Sequence, residues 1–209
     1  MGEINQPSVG AENILQAAKD LFAERGFDSV SIAHIADQAG SSKANIFHHF
    51  GSKDGLYMAV LRQATERATA HFQRAVSLDA PQAERVESAI LGSLSVLFED
   101  PERARLIFRE VLESNSSRGE TLARDVFTEE FTILTRLFAD AQQRGVCANP
   151  VEPAFLAFLM VASNVMLFHC QNVLRHLPGA DFVDDQRRYA GMLRAVLMWV
   201  SEPEELPCA

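Results

Sequence analysis

Residues 31–50 read SIAHIADQAGSSKANIFHHF, and this stretch decides the fold of the chain. Apolar side chains recur there every three or four residues, in two short runs that Gly40 separates. This period predicts two short helices, because it places each run on one helix face. Gly40 suits the turn between them, since glycine adopts a positive φ without a steric penalty. Four side chains would then point inward and hold the two helices together: Ile35, Ala36, Ile46 and Phe50.

Two short helices joined by such a turn form a helix-turn-helix, whose second helix enters the major groove of DNA. The chain as a whole has 19 Lys+Arg, 28 Asp+Glu and a net charge of −9. Residues 1–60 hold four basic and seven acidic residues, a net of −3, yet residues 38–53 contain no acid. This acid-free segment contains Lys43, Asn45, His48 and Lys53. Phosphate contact requires a few well-placed cations rather than a basic average, so the overall acidity does not exclude DNA binding.

The rest of the chain shows the same helical period and no strand-like alternation of useful length. Start and stop signals divide it into helices: Gly26 ends the first, Pro81 follows a long one that begins near Ser52, and Asp100-Pro101 begins another. A last helix is predicted from Asp181 to about Ser201. We therefore predict an all-α fold of about nine helices. It comprises an N-terminal three-helix helix-turn-helix DNA-binding domain over residues 10–55 and a larger helical domain over residues 56–203.

The N-terminal pattern resembles a known family over residues 12–61, about a quarter of the chain. The matching positions fall in three runs: Ile14, Leu15, Ala17, Ala18, Leu21, Phe22, Gly26 and Phe27; Ile35, Ala36, Ala39 and Gly40; and Ser42, Lys43, Ile46, Phe47, His49, Phe50, Ser52, Lys53 and Leu56. With these spacings, the segment is similar to the DNA-binding domain of the tetracycline-repressor (TetR) family. The remaining residues resemble that family only as an all-helical domain of suitable length.

The resemblance implies a homodimeric transcriptional regulator, usually a repressor, that binds a palindromic double-stranded DNA operator. It also implies that the C-terminal helices form the dimer and bind a small-molecule effector. The two recognition helices must fit major grooves about 34 Å apart, so a swing of the helix that begins near Ser52 would release the DNA. The effector achieves this only if it binds one spacing more tightly than the other.

Eight residues are predicted to contact DNA: Ser31, Ser42, Lys43, Ala44, Asn45, Phe47, His48 and Lys53. Lys43 would meet a phosphate or a base edge, and Asn45 can read adenine through two hydrogen bonds. Lys53 would bind backbone phosphate together with the free amides at the start of a helix. The family commonly has tyrosine at the position of Phe47, so a hydroxyl contact to phosphate is missing here. It often has an acid at the position of His34, so local packing or capping differs there.

The candidate effector-binding residues are Phe127, Phe131, Asn164, Phe168 and His169. Asn164 and His169 are polar side chains in an uncharged helix, and the phenylalanines would form an apolar wall. Core packing alone accounts for most of these residues, and a buried, hydrogen-bonded His169 is the simpler interpretation. The composition mildly favours an apolar or aromatic effector.

The last two helices carry apolar residues on more than one face: Phe155, Phe158, Leu159, Val165 and Phe168, then Met192, Leu193, Val196, Leu197, Trp199 and Val200. One domain of this size cannot bury both stripes. We therefore predict a homodimer with a four-helix interface, two helices from each subunit. The uncharged helix also contains Ser163, Asn164 and His169, which are costly in lipid, so a core helix is the better interpretation and no membrane is expected.

Composition limits the other classes of function. The three cysteines, Cys147, Cys170 and Cys208, are odd in number and widely spaced, which argues against a disulfide framework or a zinc site. Reduced thiols and an N-terminus without a signal pattern predict a cytoplasmic protein. No nucleophile–base pattern, metal-ligand spacing or phosphate loop occurs, so an enzyme is disfavoured and no catalytic residue, metal or cofactor is predicted. A regulator switched by a partner protein, or by oxidation of Cys147 or Cys170, stays open.

A run of paired charges follows Pro101. It contains Arg103, Arg105 and Arg109 together with the acids Glu102, Glu110 and Glu113. Such spacing is typical of ion pairs on a solvated helix face, and that is the structure predicted for them.

Overall fold

The computed structural model describes residues 9–113, 116–147 and 150–199 of the chain. Within these residues every regular element is helical: α1 (Val9–Arg25), α2 (Ile32–Gln38), α3 (Lys43–Phe50), α4 (Lys53–Ser77), α5 (Gln82–Glu99), α6 (Pro101–Glu113), α7 (Ser116–Leu122), a π-helical turn (Ala123–Phe127), α8 (Thr128–Gln143), α9 (Pro153–Leu174), a 3₁₀ turn (Asp181–Asp184) and α10 (Gln186–Leu197). α7, the π turn and α8 follow one another without a break, so the ten α-helical segments make nine helices. The predicted all-α fold is confirmed.

The chain divides into two compact units that are not two successive halves. The first unit holds the chain up to Glu66 and resumes over Asp100–Val126. The second holds Arg67–Glu99 and the chain from Phe127 onward. The units therefore group α6 and α7 with the helix-turn-helix and divide α4 between them. The limits 10–55 and 56–203 remain a sequence-based prediction of domains.

The first unit has its core where α1 packs against α2, α3 and α6. Ile14, Ala18 and Phe22 line the buried side of α1 and are fully inaccessible to solvent. They recur every four residues and therefore form one apolar stripe along α1. This stripe lies on the side of α1 that packs against the three neighbouring helices. α6 is fixed to α1 by Arg109, whose guanidinium donates to the main-chain oxygen of Phe22 at 2.6 Å.

The second unit has a larger core built from α5, α8, α9 and α10, with α9 packed against both α5 and α8. Its largest fully buried side chains include Ile90, Leu94, Leu134 and Phe138. Asn164 of α9 is a polar side chain that is 0% exposed in this unit, and its Nδ2 donates to the main-chain oxygen of Ile90 at 3.1 Å. This hydrogen bond joins α9 to α5 inside the apolar core.

α9 is long and apolar enough to cross a membrane by length and composition alone. In this fold, one face of the helix, including Leu156, Met160 and Leu167, is buried in the core of the second unit. The opposite face leaves Phe155 and Phe158 about half exposed, at 51% and 53%. Its high hydropathy therefore comes from two apolar faces of a packed helix and is not a membrane signal.

Two sequence predictions about helices are wrong in detail. The segment Asp181–Asp184 forms a 3₁₀ turn, and α10 begins only at Gln186, because the Asp185 carboxylate caps it by accepting from two main-chain amides. The charges of α6 do not all form a solvated face. Glu110 is only 5% exposed, and Arg109 bonds to α1. Charge spacing along a helix shows which residues share a face, but not whether another element covers that face.

Candidate nucleic-acid interface

The predicted helix-turn-helix is present as α2, a tight turn and α3. Gly40 has a φ of +57°, a value that L side chains rarely adopt, and the amide of Ser41 bonds back to the oxygen of Ala36 at 2.9 Å. This bond fixes the turn after the end of α2. Ile35 and Ile46 are fully buried and Ala36 nearly so, which confirms three of the four predicted inward residues. Phe50 is half-buried.

Three serines begin the three helices that follow. The hydroxyl oxygen of Ser31 accepts from the amide of His34 at 3.2 Å, and that of Ser42 accepts from the amide of Asn45 at 3.1 Å. Ser52 accepts from the amide of Gly55 at 2.9 Å in the same way. Each bond satisfies an amide that the helix itself leaves unpaired. Ser31 and Ser42, predicted to contact phosphate, are therefore helix caps whose hydroxyl hydrogens can still be donated.

The start of α3 presents its side chains to solvent. Lys43, Ala44 and His48 are exposed, and Phe47 is 48% exposed. These four side chains form the outer face of α3, and all of them belong to the acid-free segment. Asn45 is half-buried, and its Nδ2 donates to the hydroxyl oxygen of Ser41 at 3.1 Å. The amide nitrogen carries two hydrogens, so this bond leaves one N–H and Oδ1 of Asn45 for adenine.

Lys53 begins α4 and differs from Lys43 in being held by an aromatic ring. Its Nζ lies 4.2 Å from the centroid of the Phe27 ring, a distance at which a cation is attracted by the ring face. The ring of Phe27 packs against Tyr57 of α4, with centroids 4.8 Å apart. The ammonium of Lys53 is thus supported by an aromatic pair, and Lys53 is the first residue of α4, where a helix has free amides. This arrangement is suited to an anion such as phosphate.

Known proteins share both this motif and most of the chain. Residues 14–60 match the family described as bacterial regulatory proteins, tetR family. The transcriptional regulator RutR of Escherichia coli K12 is 34% identical over 154 residues, which cover 72% of this chain and 69% of RutR. The chain belongs to the TetR family. It is a helix-turn-helix transcriptional regulator, and the alternative of a helical enzyme is not favoured.

Solved structures show the TetR fold over nearly the whole chain. The FadR regulator of fatty acid degradation from Bacillus halodurans superposes with a TM-score of 0.73 at 13% identity, covering 89% of this chain and 96% of that one. GusR of Salmonella enterica superposes with a TM-score of 0.70 at 24% identity, covering 94% and 97%. At these identities the likeness is one of fold.

Among the predicted effector-binding residues of this TetR-family chain, three lie close together on α9. Phe168 is 5% exposed, with its ring edge against Phe98 at 5.3 Å and against His169 at 5.0 Å between centroids. Asn164 lies one turn earlier, and within the described residues its Oδ1 has no hydrogen-bond partner. Phe127 is half-buried at the end of the π turn, and Phe131 is 41% exposed on α8.

The predicted dimer residues that the structure describes fall into three groups by exposure. Phe155, Phe158, Met192, Val196 and Trp199 are exposed, and Leu159, Val165 and Leu193 are half-buried. Phe168 and Leu197 are corrections to that prediction, because they are 5% and 1% exposed and belong to the core of the second unit. Helical period alone could not separate the two faces, since both are apolar. Val200 lies outside the described residues.

Sequence patterns do not reveal the side chains that surround Lys53 and Phe27. Tyr57, Glu110 and Arg118 form a contact network there, although Glu110 and Arg118 lie more than fifty residues further along the chain. Charged residues such as Glu110 and Arg118 usually lie on solvated helix surfaces, so their contact with Tyr57 is seen only in the folded structure.

Proposed function

We propose that this TetR-family regulator binds a palindromic operator as a homodimer through the outer face of α3, and that it represses transcription until a small molecule releases it. The observation that carries the proposal is the exposed start of α3 within a segment that has no acid. DNA presents closely spaced phosphates, so an acid-free face in a chain of net charge −9 is the one that DNA can approach most closely. In this proposal residues 10–55 form the DNA-binding domain and residues 56–203 the regulatory domain.

The contacts divide by chemistry. Lys43 and His48 can reach base edges or phosphates, and Ala44 and Phe47 offer apolar contact to a thymine methyl group. Asn45 can read adenine through Oδ1 and the N–H that Ser41 does not accept. Lys53, with Ser31 and Ser42 as hydroxyl donors, would hold backbone phosphates and so position α3 in the groove.

The test uses a DNA duplex recovered from a random pool by the wild-type protein. Lys43→Ala should weaken binding and reduce the slope of log affinity against log salt by about one, the effect of one lost phosphate contact. Adding Asn45→Ala should weaken binding further. Arg136→Ala is the matched control, because Arg136 is exposed on α8 and its loss changes the net charge equally. Unchanged affinity in the Lys43→Ala/Asn45→Ala variant would show that α3 is not the recognition helix.

The exposed apolar residues of α9 and α10 support the homodimer. Phe155, Phe158 and Val173 lie along one face of α9. Val196 is exposed on α10, and Trp199 is exposed just after the end of that helix. Monomeric soluble proteins rarely expose so many large apolar side chains on neighbouring turns. A second copy presenting the same two helices would cover them, and two-fold symmetry makes such a surface complementary to itself.

The effector would bind in the regulatory domain near α9. Asn164 offers a buried acceptor oxygen without a partner in the described part of the chain, beside the aromatic pair Phe98 and Phe168. With Phe127, Phe131 and His169, these groups favour an apolar or aromatic molecule that carries a hydrogen-bond donor. Release of DNA by such compounds supports this proposal, whereas release only by peroxide would favour a thiol switch at Cys147 or Cys170.

We place the protein in the cytoplasm, where its DNA lies.

A further inference from the structure

Arg118 of α7 contacts Phe27 and Asp54, two residues within the matched segment 14–60, although it lies far outside that segment. Its Nη2 lies 3.3 Å from Oδ1 of Asp54, and its Nε lies 3.2 Å from Oε1 of Glu110. The guanidinium carbon is 4.6 Å from the centroid of the Phe27 ring. One planar cation therefore joins two carboxylates and an aromatic ring within the first unit.

Glu110 fixes the position of this arginine. The Glu110 side chain is buried, and its Oε2 accepts from the hydroxyl of Tyr57 at 2.8 Å. Burial raises the pKa of the Tyr57 phenol, and the hydrogen bond to Glu110 raises it further, so the hydroxyl remains a donor. A buried carboxylate is costly unless it is paired, and Arg118 provides its cationic partner. Arg118 is therefore more closely held than an arginine in a surface ion pair.

Asp54 makes this placement relevant to DNA. It is the acid that ends the acid-free segment, it follows Lys53 directly, and its side chain is 73% exposed. An unpaired carboxylate there would repel the phosphate that Lys53 is proposed to bind. Arg118 offsets that charge and also lies against the Phe27 ring, which supports the ammonium of Lys53.

We propose that Arg118 is a positioning residue for DNA binding, which neutralises Asp54 and supports Phe27 beneath Lys53 without touching DNA. The proposal rests on the proposed docking surface. It assigns a role in operator binding to α7, a helix that continues through the π turn into α8 of the second unit.

The test is a double-mutant cycle between Arg118 and Asp54, read by fluorescence anisotropy on the selected duplex. Arg118→Ala should lower affinity roughly fivefold, the size expected of one partly screened charge interaction. Asp54→Asn alone should not lower the affinity, and in the Arg118→Ala background it should restore most of the loss. Unchanged affinity in Arg118→Ala would overturn the proposal. So would a loss that Asp54→Asn does not restore, which is the result expected if Arg118 touched phosphate or only stabilised the fold.

Arg118→Ala leaves Glu110 buried without its cation, so folding is checked by circular dichroism and thermal melting. If that variant does not fold, Arg118→Lys replaces it, because lysine keeps a charge for Glu110 but cannot join both carboxylates. A smaller loss that Asp54→Asn restores is expected, and no restoration contradicts the proposal. Lys43→Ala is measured in parallel. Normal binding by Lys43→Ala would refute the docking surface itself, whereas weakened Lys43→Ala with unaffected Arg118 variants would refute only the role of Arg118.

Discussion

At the residue scale, the serines of the helix-turn-helix stabilise the fold as helix caps. Ser31, Ser42 and Ser52 each accept a main-chain amide at the start of a helix. Such a cap stabilises a protein by about 1 kcal/mol relative to alanine. Substitution of Ser42 by alanine therefore combines a loss of stability with the loss of a proposed phosphate contact. Variants that keep the cap are needed to separate the two effects.

Ser42→Asp should separate them. Aspartate caps a helix as well as serine does and interacts favourably with the helix dipole, so the free energy of unfolding in urea should stay within about 0.5 kcal/mol of wild type. The same change places an acid in the acid-free segment, so operator affinity should fall at least tenfold. Ser42→Asn, which caps without a charge, should bind DNA far better than Ser42→Asp. Equal binding by the two variants would show that this face does not approach phosphate.

At the element scale, α9 illustrates how one helix carries two apolar faces. Leu156, Met160 and Leu167 are buried in the core of the second unit, while Phe158 and Val173 are exposed on the other side. A helix that needed only a core contact would have a polar outer face. The exposed apolar side chains of α9 and α10 are therefore expected to pack against a partner surface. We propose that a second copy of the chain provides this surface.

Phe158→Glu should convert the dimer into a monomer at micromolar concentration, because a buried, unpaired carboxylate at the interface is strongly unfavourable. Sedimentation velocity measures the change directly. Leu112→Glu is the matched control: Leu112 is 68% exposed on α6, and the substitution introduces the same charge. The control should sediment as wild type does. A wild-type protein that is monomeric under these conditions would contradict the proposed interface.

The contact between α4 and α8 should make stability depend on pH. Burial raises the pKa of Glu130 from 4.5 to about 8, and the nearby Glu129 adds to the rise, while the hydrogen bond from Thr69 opposes it. Between these two pKa values the folded protein holds a proton that the unfolded chain has lost. The contribution of Glu130 to stability is therefore present below about pH 4.5 and is lost as the pH rises through 8.

Glu130→Gln should weaken the dependence of stability on pH over this range, since glutamine stays neutral at every pH. Thermal melting from pH 5 to pH 8 would measure the difference between wild type and variant. Glu129→Gln is the control. In this variant the melting temperature should still fall as the pH rises, because Glu130 remains. A wild-type melting temperature that rises across this range in parallel with that of Glu130→Gln would refute the assigned titration.

At the scale of the whole molecule, the net charge of −9 is unevenly distributed along the sequence. Residues 1–60 contribute −3 and the remaining chain −6, yet the exposed start of α3 lies in a segment without acids. The acidic surface should disfavour non-specific binding to DNA, which depends mainly on phosphate contacts. Tight binding would then depend on a dimer that presents two such faces together.

The helices and the helix-turn-helix could be predicted from the sequence because they depend on local signals. Ile35, Ile46 and Gly40 lie where helical period and turn chemistry place them. The partners of Glu110 could not be predicted, because Tyr57 lies 53 residues away and no local pattern links the two. The same holds for the packing of α6 against α1. The two faces of α9 were also indistinguishable, since burial depends on which neighbours the fold provides.

Selection of bound DNA from a random pool by the full-length protein tests the central claim most directly. We expect a palindrome whose half-sites are separated by about 10–10.5 base pairs, or a multiple of this distance, and to which one protein dimer binds. Its recovery should depend on Lys43, so the Lys43→Ala/Asn45→Ala variant should not enrich the same sequence. Enrichment of no sequence, or of a single asymmetric site bound by one protomer, would contradict the account.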